Sequence, residues 1–80
     1  MNDNYIPLQV VMPQREYIIQ YVKGPRPDPK TLSGYGIFPG SRIKLLFSSP
    51  AGDPSAYEIM GTVLALRCED SKHIYVSPAF

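Results

Sequence analysis

This chain of 80 residues has one cysteine and one histidine, and its charges nearly cancel, leaving a formal net charge of +1. A lone cysteine, Cys68, excludes an intrachain disulfide and a multi-cysteine zinc site, and it fits a reducing compartment. The near-balance of charge removes the bulk electrostatic case for nucleic acid or an anionic membrane surface, so any partner contact has to be local. No apolar run approaches the roughly 18 residues of a membrane-spanning helix, and Met1-Asn2-Asp3-Asn4-Tyr5 lacks the basic-then-apolar order of a signal peptide. The sequence thus shows neither a signal peptide nor a segment for direct membrane insertion. Catalytic sets are lacking too: no carboxylate pair can be placed in a cleft, and no Ser-His-Asp arrangement is credible. Gly52-Asp53-Pro54 has neither the spacing nor the lysine of a phosphate-cradling loop. The chain reads as a non-enzyme without a cofactor.

What is present is a globular composition, 44% hydrophobic and 19% charged, cut short at every turn by nine prolines and six glycines. Residues 1–80 are expected to form one domain with a small core, since a chain of this size buries only about 60% of the surface its unfolded form exposes. Ile6-Pro7-Leu8 is the first apolar anchor and Met12-Pro13-Gln14-Arg15 the first turn. Tyr17 to Val22, rich in β-branched and aromatic residues, predicts a strand. Pro25, Pro27 and Pro29 then impose a loop, with a short helix starting after the capping residue Asp28 and stopped by Gly34 and Gly36. Leu32 and Tyr35 are its expected inward contacts.

From Gly36 onward the chain alternates between short β-type runs and turn residues. In Arg42 to Ser48, Ile43, Leu45 and Phe47 share the expected core face, while Arg42, Lys44 and Ser48 share the other, with Leu46 as the one apolar exception. After the Ser49 to Pro54 turn, Tyr57 and Ile59 alternate with Glu58 and Met60, and Gly61-Thr62 predicts a two-residue hairpin turn. Val63-Leu64-Ala65-Leu66, apolar on both faces, predicts a central strand covered on both sides. Arg67 to Lys72 suits one helical or 3₁₀ turn, and Ile74 and Val76 point inward on a closing strand. The sum is a mainly β fold, a small antiparallel barrel of about five strands with one or two short helical turns.

The order Gly36-Ile37-Phe38-Pro39-Gly40, a strand, Pro50-x-Gly52-Asp53-Pro54, a strand, Gly61, Leu64-Ala65-Leu66-Arg67 and Ile74-x-Val76 resembles the signature of the FeoA family. The resemblance implies an SH3-like barrel and a small cytoplasmic accessory protein of bacterial ferrous-iron transport. It implies as partner the cytoplasmic GTPase-bearing part of the FeoB ferrous-iron permease. A related domain ends some metal-dependent transcriptional repressors. The chain departs from the family pattern between Lys23 and Tyr35, where prolines replace a basic, leucine-rich helix, and at Gln14, where the family has glycine.

Leu32, Tyr35, Ile37 and Phe38 around the first turn, with Arg42 and Lys44 on the exposed strand face, are the candidate partner contacts. Gly36, Pro39, Gly40, Gly52, Asp53 and Gly61 are assigned to turn geometry. Cys68 and His73, with Glu69 or Asp70, are the only candidates for weak transition-metal binding, at a spacing that matches no closed zinc pattern. Arg67 is read as an orienting residue with Glu58, Glu69 or Asp70 as possible ion-pair partners. A competing reading is a nucleic-acid-binding barrel using Lys23, Arg26, Lys30, Arg42 and Lys44 with Tyr21 and Tyr35, and another is a metal-responsive regulator domain. Weak self-association is compatible with either.

Overall fold

The computed structural model describes residues 5–24 and 29–80, so the expected cap Asp28 and the basic residue Arg26 lie outside the described residues. In chain order the elements are β1 (Ile6–Pro7), a 3₁₀ turn (Leu8–Val10), β2 (Glu16–Val22), α1 (Pro29–Gly34), β3 (Arg42–Ser48), β4 (Ser55–Ile59), β5 (Thr62–Leu66), α2 (Cys68–Ser71) and β6 (Ile74–Pro78). All pairings are antiparallel, in the order β1-β6-β2-β3-β4-β5. The strand beyond the expected five is β1, a two-residue pairing of Ile6 with Val76 and Pro7 with Tyr75. Proline is tolerated there because β1 ends the sheet and no neighbour needs its missing N–H.

β5 corrects a second expectation. It is the opposite edge of the sheet, paired to β4 alone, with Val63 59% exposed and Ala65 exposed, while Leu66 is buried and Leu64 packs against the core. An apolar pattern on both faces normally marks a strand covered twice. Here no further layer covers the outer face among the described residues, and Val63 and Ala65 meet solvent. The 3₁₀ turn, which follows β1, and α2, which follows β5, pack together.

Among the described residues thirteen apolar side chains make the core, including Leu8, Ile19, Ile74 and Val76, each at 0% exposure. Two bulges set which residues reach it. In β2 the pairing steps from Ile19↔Val76 to Tyr21↔Tyr75, so Gln20 is the extra residue and Tyr21 turns outward while Val22 packs against the core. In β3 the step from Leu45↔Tyr57 to Phe47↔Ala56 makes Leu46 the extra residue. Strand side chains alternate with period two, and one inserted residue reverses the alternation beyond it. Phe47, expected in the core, is therefore 63% exposed. The carbonyls around this second bulge are satisfied by Gln14, whose backbone N–H donates to Leu45 O at 2.8 Å and whose Nε2 donates to Leu46 O at 2.8 Å.

The end of α1 is a Schellman motif. Gly36, at φ 92°, donates to Ser33 O at 3.0 Å, and Ile37 N–H donates to Leu32 O at 2.9 Å. The apolar pair that usually accompanies this motif is Leu32 with Ile37, and both enter the core. A Cβ on Gly36 would sit 3.0 Å from Ile59 Cγ2 and 3.2 Å from Met60 Sδ, so glycine is required by both conformation and space. The β4–β5 loop is Met60-Gly61, at φ 51° and 81°, with Ile59 paired to Thr62. It falls one residue earlier than Gly61-Thr62 and has the two positive φ values of a type I′ turn. Gly36→Ala is expected to lower unfolding stability by about 1–3 kcal/mol, from left-handed strain and displacement of Ile59. A urea midpoint equal to that of the unsubstituted chain would show that the motif tolerates a side chain.

Tyr57 is the bulkiest fully buried side chain. Burial pushes its phenol above the ordinary value of 10.0, an effect that hydrogen bonds to Ser71 and Ser55 partly offset. In the unfolded chain the phenol ionises near its ordinary value, whereas the folded core resists the charge, so ionisation favours unfolding. Tyr57 therefore contributes fully below about pH 10, and that contribution falls as pH rises above it. In Tyr57→Phe, urea unfolding is expected to show stability about 1 kcal/mol lower near neutral pH, from the lost hydroxyl bonds, and a shallower decline above pH 10. An identical alkaline slope in the two proteins would assign the decline to other groups.

Candidate partner-docking surface

The surface around the first turn is built outward from the Schellman motif. Because Leu32 and Ile37 are drawn into the core, at 3% and 2% exposure, the residues they flank face solvent: Tyr35 at 57% and Phe38 at 39%. This corrects two expectations. Leu32 and Ile37 lie beneath the patch, and Tyr35 is not an inward contact of the helix. After Phe38 the chain reverses through Pro39-Gly40, with Ser41 N–H donating to Phe38 O at 3.0 Å and Gly40 at φ 98°, a type II turn. The buried Ser41 hydroxyl donates to Phe38 O at 2.8 Å and accepts from Phe38 N–H at 3.3 Å. Gly40 N–H donates to Ile19 O at 2.8 Å, and Ile19 N–H to Ser41 O at 2.9 Å, which ties the turn to β2. Phe38 thus stands on a fixed support.

Beside it lies an apolar groove of about 420 Å³ lined by Tyr21, Val22, Ser33, Ile37, Phe38 and Pro39. Tyr21, turned outward by the β2 bulge, stacks on Tyr75 with centroids 5.0 Å apart and rings within 9°, and meets Tyr5 at 6.0 Å. The nucleic-acid reading had Tyr21 at the surface, but nothing in the linear pattern marked its contacts with Tyr75 and Tyr5. The proline-rich stretch Pro25–Asp28 that leads toward α1 lies outside the described residues.

Arg42 and Lys44 lie on the outer face of β3, and each has an acidic neighbour. Arg42 Nη1 is 3.1 Å from Glu16 Oε1 and Lys44 Nζ is 3.7 Å from Glu58 Oε1. Pairs this exposed contribute about 0–1 kcal/mol each. Their consequence is electrostatic, since two cations of the proposed basic surface are matched across the ladder, where Glu16 faces Lys44 and Lys44 faces Glu58. They line a polar cavity of about 430 Å³ that shares no lining residue with the aromatic groove.

The remaining candidates do not converge. Cys68 begins α2, exposed, with Sγ donating weakly to Gly52 O at 3.7 Å, whereas His73 follows the helix and is half-buried. Among the described residues no group of three or more His, Cys, Asp and Glu side chains is placed to hold a metal ion. Arg67 is exposed, and its side chain joins none of the ion pairs found among the described residues. Its carbonyl accepts from Asp70 and Ser71 N–H at 2.9 Å, as the residue before α2.

Asp53 does more than turn the chain. Its Oδ1 accepts the Cys68 N–H at 2.9 Å, so the β3–β4 loop caps α2 from fifteen residues away. The signal was in the helix: Arg67 occupies the N-cap position without a side-chain cap bond, so the acceptor had to come from elsewhere. Ser49 Oγ holds the loop in place by accepting Asp53 N–H at 3.0 Å.

The FeoA domain pattern matches residues 6–78, nearly the whole chain. The chain belongs to the FeoA family. FeoA is a non-enzymatic accessory domain associated with ferrous iron transport. No curated protein matches the chain by sequence at a significant level. Among solved structures it is similar to iron(II) transport protein A of Clostridium thermocellum, at 24% identity and TM-score 0.86. That match covers 92% of this chain and 46% of the other, so this FeoA chain spans about half of that relative's length. It is similar to a FeoA-like protein of Clostridium acetobutylicum at 24% identity and TM-score 0.86, over 99% and 92% of the two chains. The zinc-complexed FeoA of Stenotrophomonas maltophilia, described as a prokaryotic SH3 domain protein, aligns at 18% identity and TM-score 0.76, over 90% and 89%. The SH3-like FeoA fold expected from the motif order is thereby shown. Among the described residues no helix is long and apolar enough to cross a membrane.

Asp53→Ala is expected to destabilise this FeoA chain by about 1 kcal/mol, the usual effect of losing a helix cap, with faster amide exchange at Cys68. Unchanged exchange at Cys68 would mean that water replaces the carboxylate without loss.

Proposed function

We propose that the protein is a cytoplasmic accessory module of a ferrous-iron uptake system that binds the GTPase-bearing cytoplasmic part of a FeoB-type permease and modulates transport. The observation that carries the docking part of this reading is the apolar groove beside Phe38, which stands exposed on a hydrogen-bonded turn, with Tyr35 exposed three residues before it. Large, rigid aromatics beside an apolar groove are the side chains that dominate protein interfaces. Arg42 and Lys44 serve as a polar rim: already paired in the free protein, they add specificity more than affinity. Leu32 and Ile37 act from beneath by holding Phe38 in place.

Nucleic acid is the weaker reading. A phosphate-binding surface needs unpaired cations, and Arg42 and Lys44 are matched by Glu16 and Glu58.

Titration against the soluble cytoplasmic domain of the cognate permease, with and without guanine nucleotide at two salt concentrations, is expected to give saturable and modestly salt-sensitive binding. Tyr35→Ala with Phe38→Ala should weaken it about tenfold or more, at unchanged thermal stability. A folded double variant that binds as well as the unsubstituted chain would overturn the aromatic groove as the docking site. Retention on a random oligonucleotide that collapses with salt, without permease binding, would reverse the assignment of partner.

A further inference from the structure

β5 leaves an apolar, charge-free edge at the end of the sheet. Its two-residue turn makes Ile59↔Thr62 the hydrogen-bonded pair nearest the loop, so the backbones of Thr62, Leu64 and Leu66 face β4. Val63 and Ala65 turn their N–H and C=O groups outward, and among the described residues no hydrogen bond or strand pairing takes them up. Edge strands are usually protected by a charge, a proline or a bulge. Thr62-Val63-Leu64-Ala65-Leu66 has neither charge nor proline, and it pairs with β4 without a register shift.

The face beside this edge is apolar as well. The β3 bulge places exposed Phe47 in register with Ala56, and Ala56 with Ala65, so a row runs Phe47-Ala56-Ala65 to the edge. The next outward row runs Lys44-Glu58-Val63, and its two charges are paired with each other.

We infer that β5 is the docking site for a second copy of this chain, paired antiparallel to itself about a two-fold axis through Leu64. The hydrogen-bond phase permits this register: Val63 of one copy and Ala65 of the other are both outward residues and form hydrogen-bonded pairs, with Leu64 opposite Leu64 between them. The chemistry selects the occupant. A two-fold axis sets each strand against its own sequence, so any charge on β5 would lie close to its own mate, and β5 has none. Across the axis the apolar row of one copy continues into the charge-paired row of the other, Phe47-Ala56-Ala65 meeting Val63-Glu58-Lys44. Small Ala65 leaves room beside the branched Val63. One five-residue strand with a narrow apolar strip buries less than the roughly 800 Å² per partner of a standard interface, so the dimer is a weak one that forms at high concentration.

Sedimentation velocity of the whole chain, from about 10 µM to about 1 mM, is expected to show the mass rising from 8.9 kDa toward twice that value. Over the same range, amide exchange at Val63 and Ala65 should slow selectively. Val63→Lys places a charge on the edge and Ala65→Pro removes an outward donor; each should weaken association about tenfold or more with little change in thermal stability. A chain that stays at 8.9 kDa throughout overturns the inference. So does a dimer indifferent to both substitutions, and so does protection of Val63 and Ala65 by the permease domain but not by added chain. None of these results bears on permease binding at Phe38, which the Tyr35 and Phe38 substitutions report separately.

Discussion

Strand side chains must alternate between core and solvent, and this protein's surface depends on breaking that alternation once in β2 and once in β3. With unbroken pairing, Tyr21 and Phe47 would both enter a core that already holds Tyr17, Ile19, Ile43 and Leu45. One extra residue in each strand, Gln20 and Leu46, turns the aromatic outward instead. At the β3 bulge the Gln14 side chain bonds across to the Leu46 carbonyl, and at the β2 bulge the Gln20 side chain reaches the neighbouring strand, its Nε2 donating to Ser77 Oγ at 2.8 Å. The aromatic groove and the apolar edge both descend from these two insertions.

Gln14 also shows how a local cost is offset. It sits at φ 66°, a conformation glycine adopts freely and other residues adopt at a cost of about 1 kcal/mol or more. Both the backbone and the side chain of Gln14 bond β3 carbonyls, which offsets that cost. No such compensation is open to Gly36, where Ile59 occupies the space a Cβ would need. The two positions share a backbone preference and differ in tolerance for a side chain, which a motif alone does not reveal.

The parts of the fold legible in the sequence are those where a single local rule decides. Turn residues marked the ends of the strands, alternation placed Tyr57, Ile59, Ile74 and Val76 inside, and Gly36 ended α1. The parts that were not legible depend on pairing partners. A bulge is defined by the strand opposite, so apolar Leu46 on the outer face of Arg42 to Ser48 read as an exception to the alternation and not as the point where Phe47 leaves the core. β5 was misplaced for the same kind of reason, since an apolar strand becomes central or edge according to what covers it. At the candidate docking surface, Phe38 was legible as an exposed aromatic of a turn, whereas Tyr35 had been expected inward as well as at the surface. The burial of Leu32 and Ile37 followed from the Schellman bonds that place them on the inner side.

Charge arrangement connects the fold to its surfaces. The outer sheet face has its cations and carboxylates interleaved across β2, β3 and β4, so the face is polar without a strong field of either sign. Such a face neither attracts polyanions nor steers partners from a distance, and recognition falls to short-range shape and apolar contact. The two surfaces proposed for that contact rest on turns that touch: Gly36 of the Schellman motif lies so close to Ile59 and Met60 that a Cβ there would sit 3.0 Å and 3.2 Å from their side chains. The support of the groove at Phe38 and the hairpin that carries the β5 edge are therefore one packed unit, and a substitution at Gly36 disturbs both.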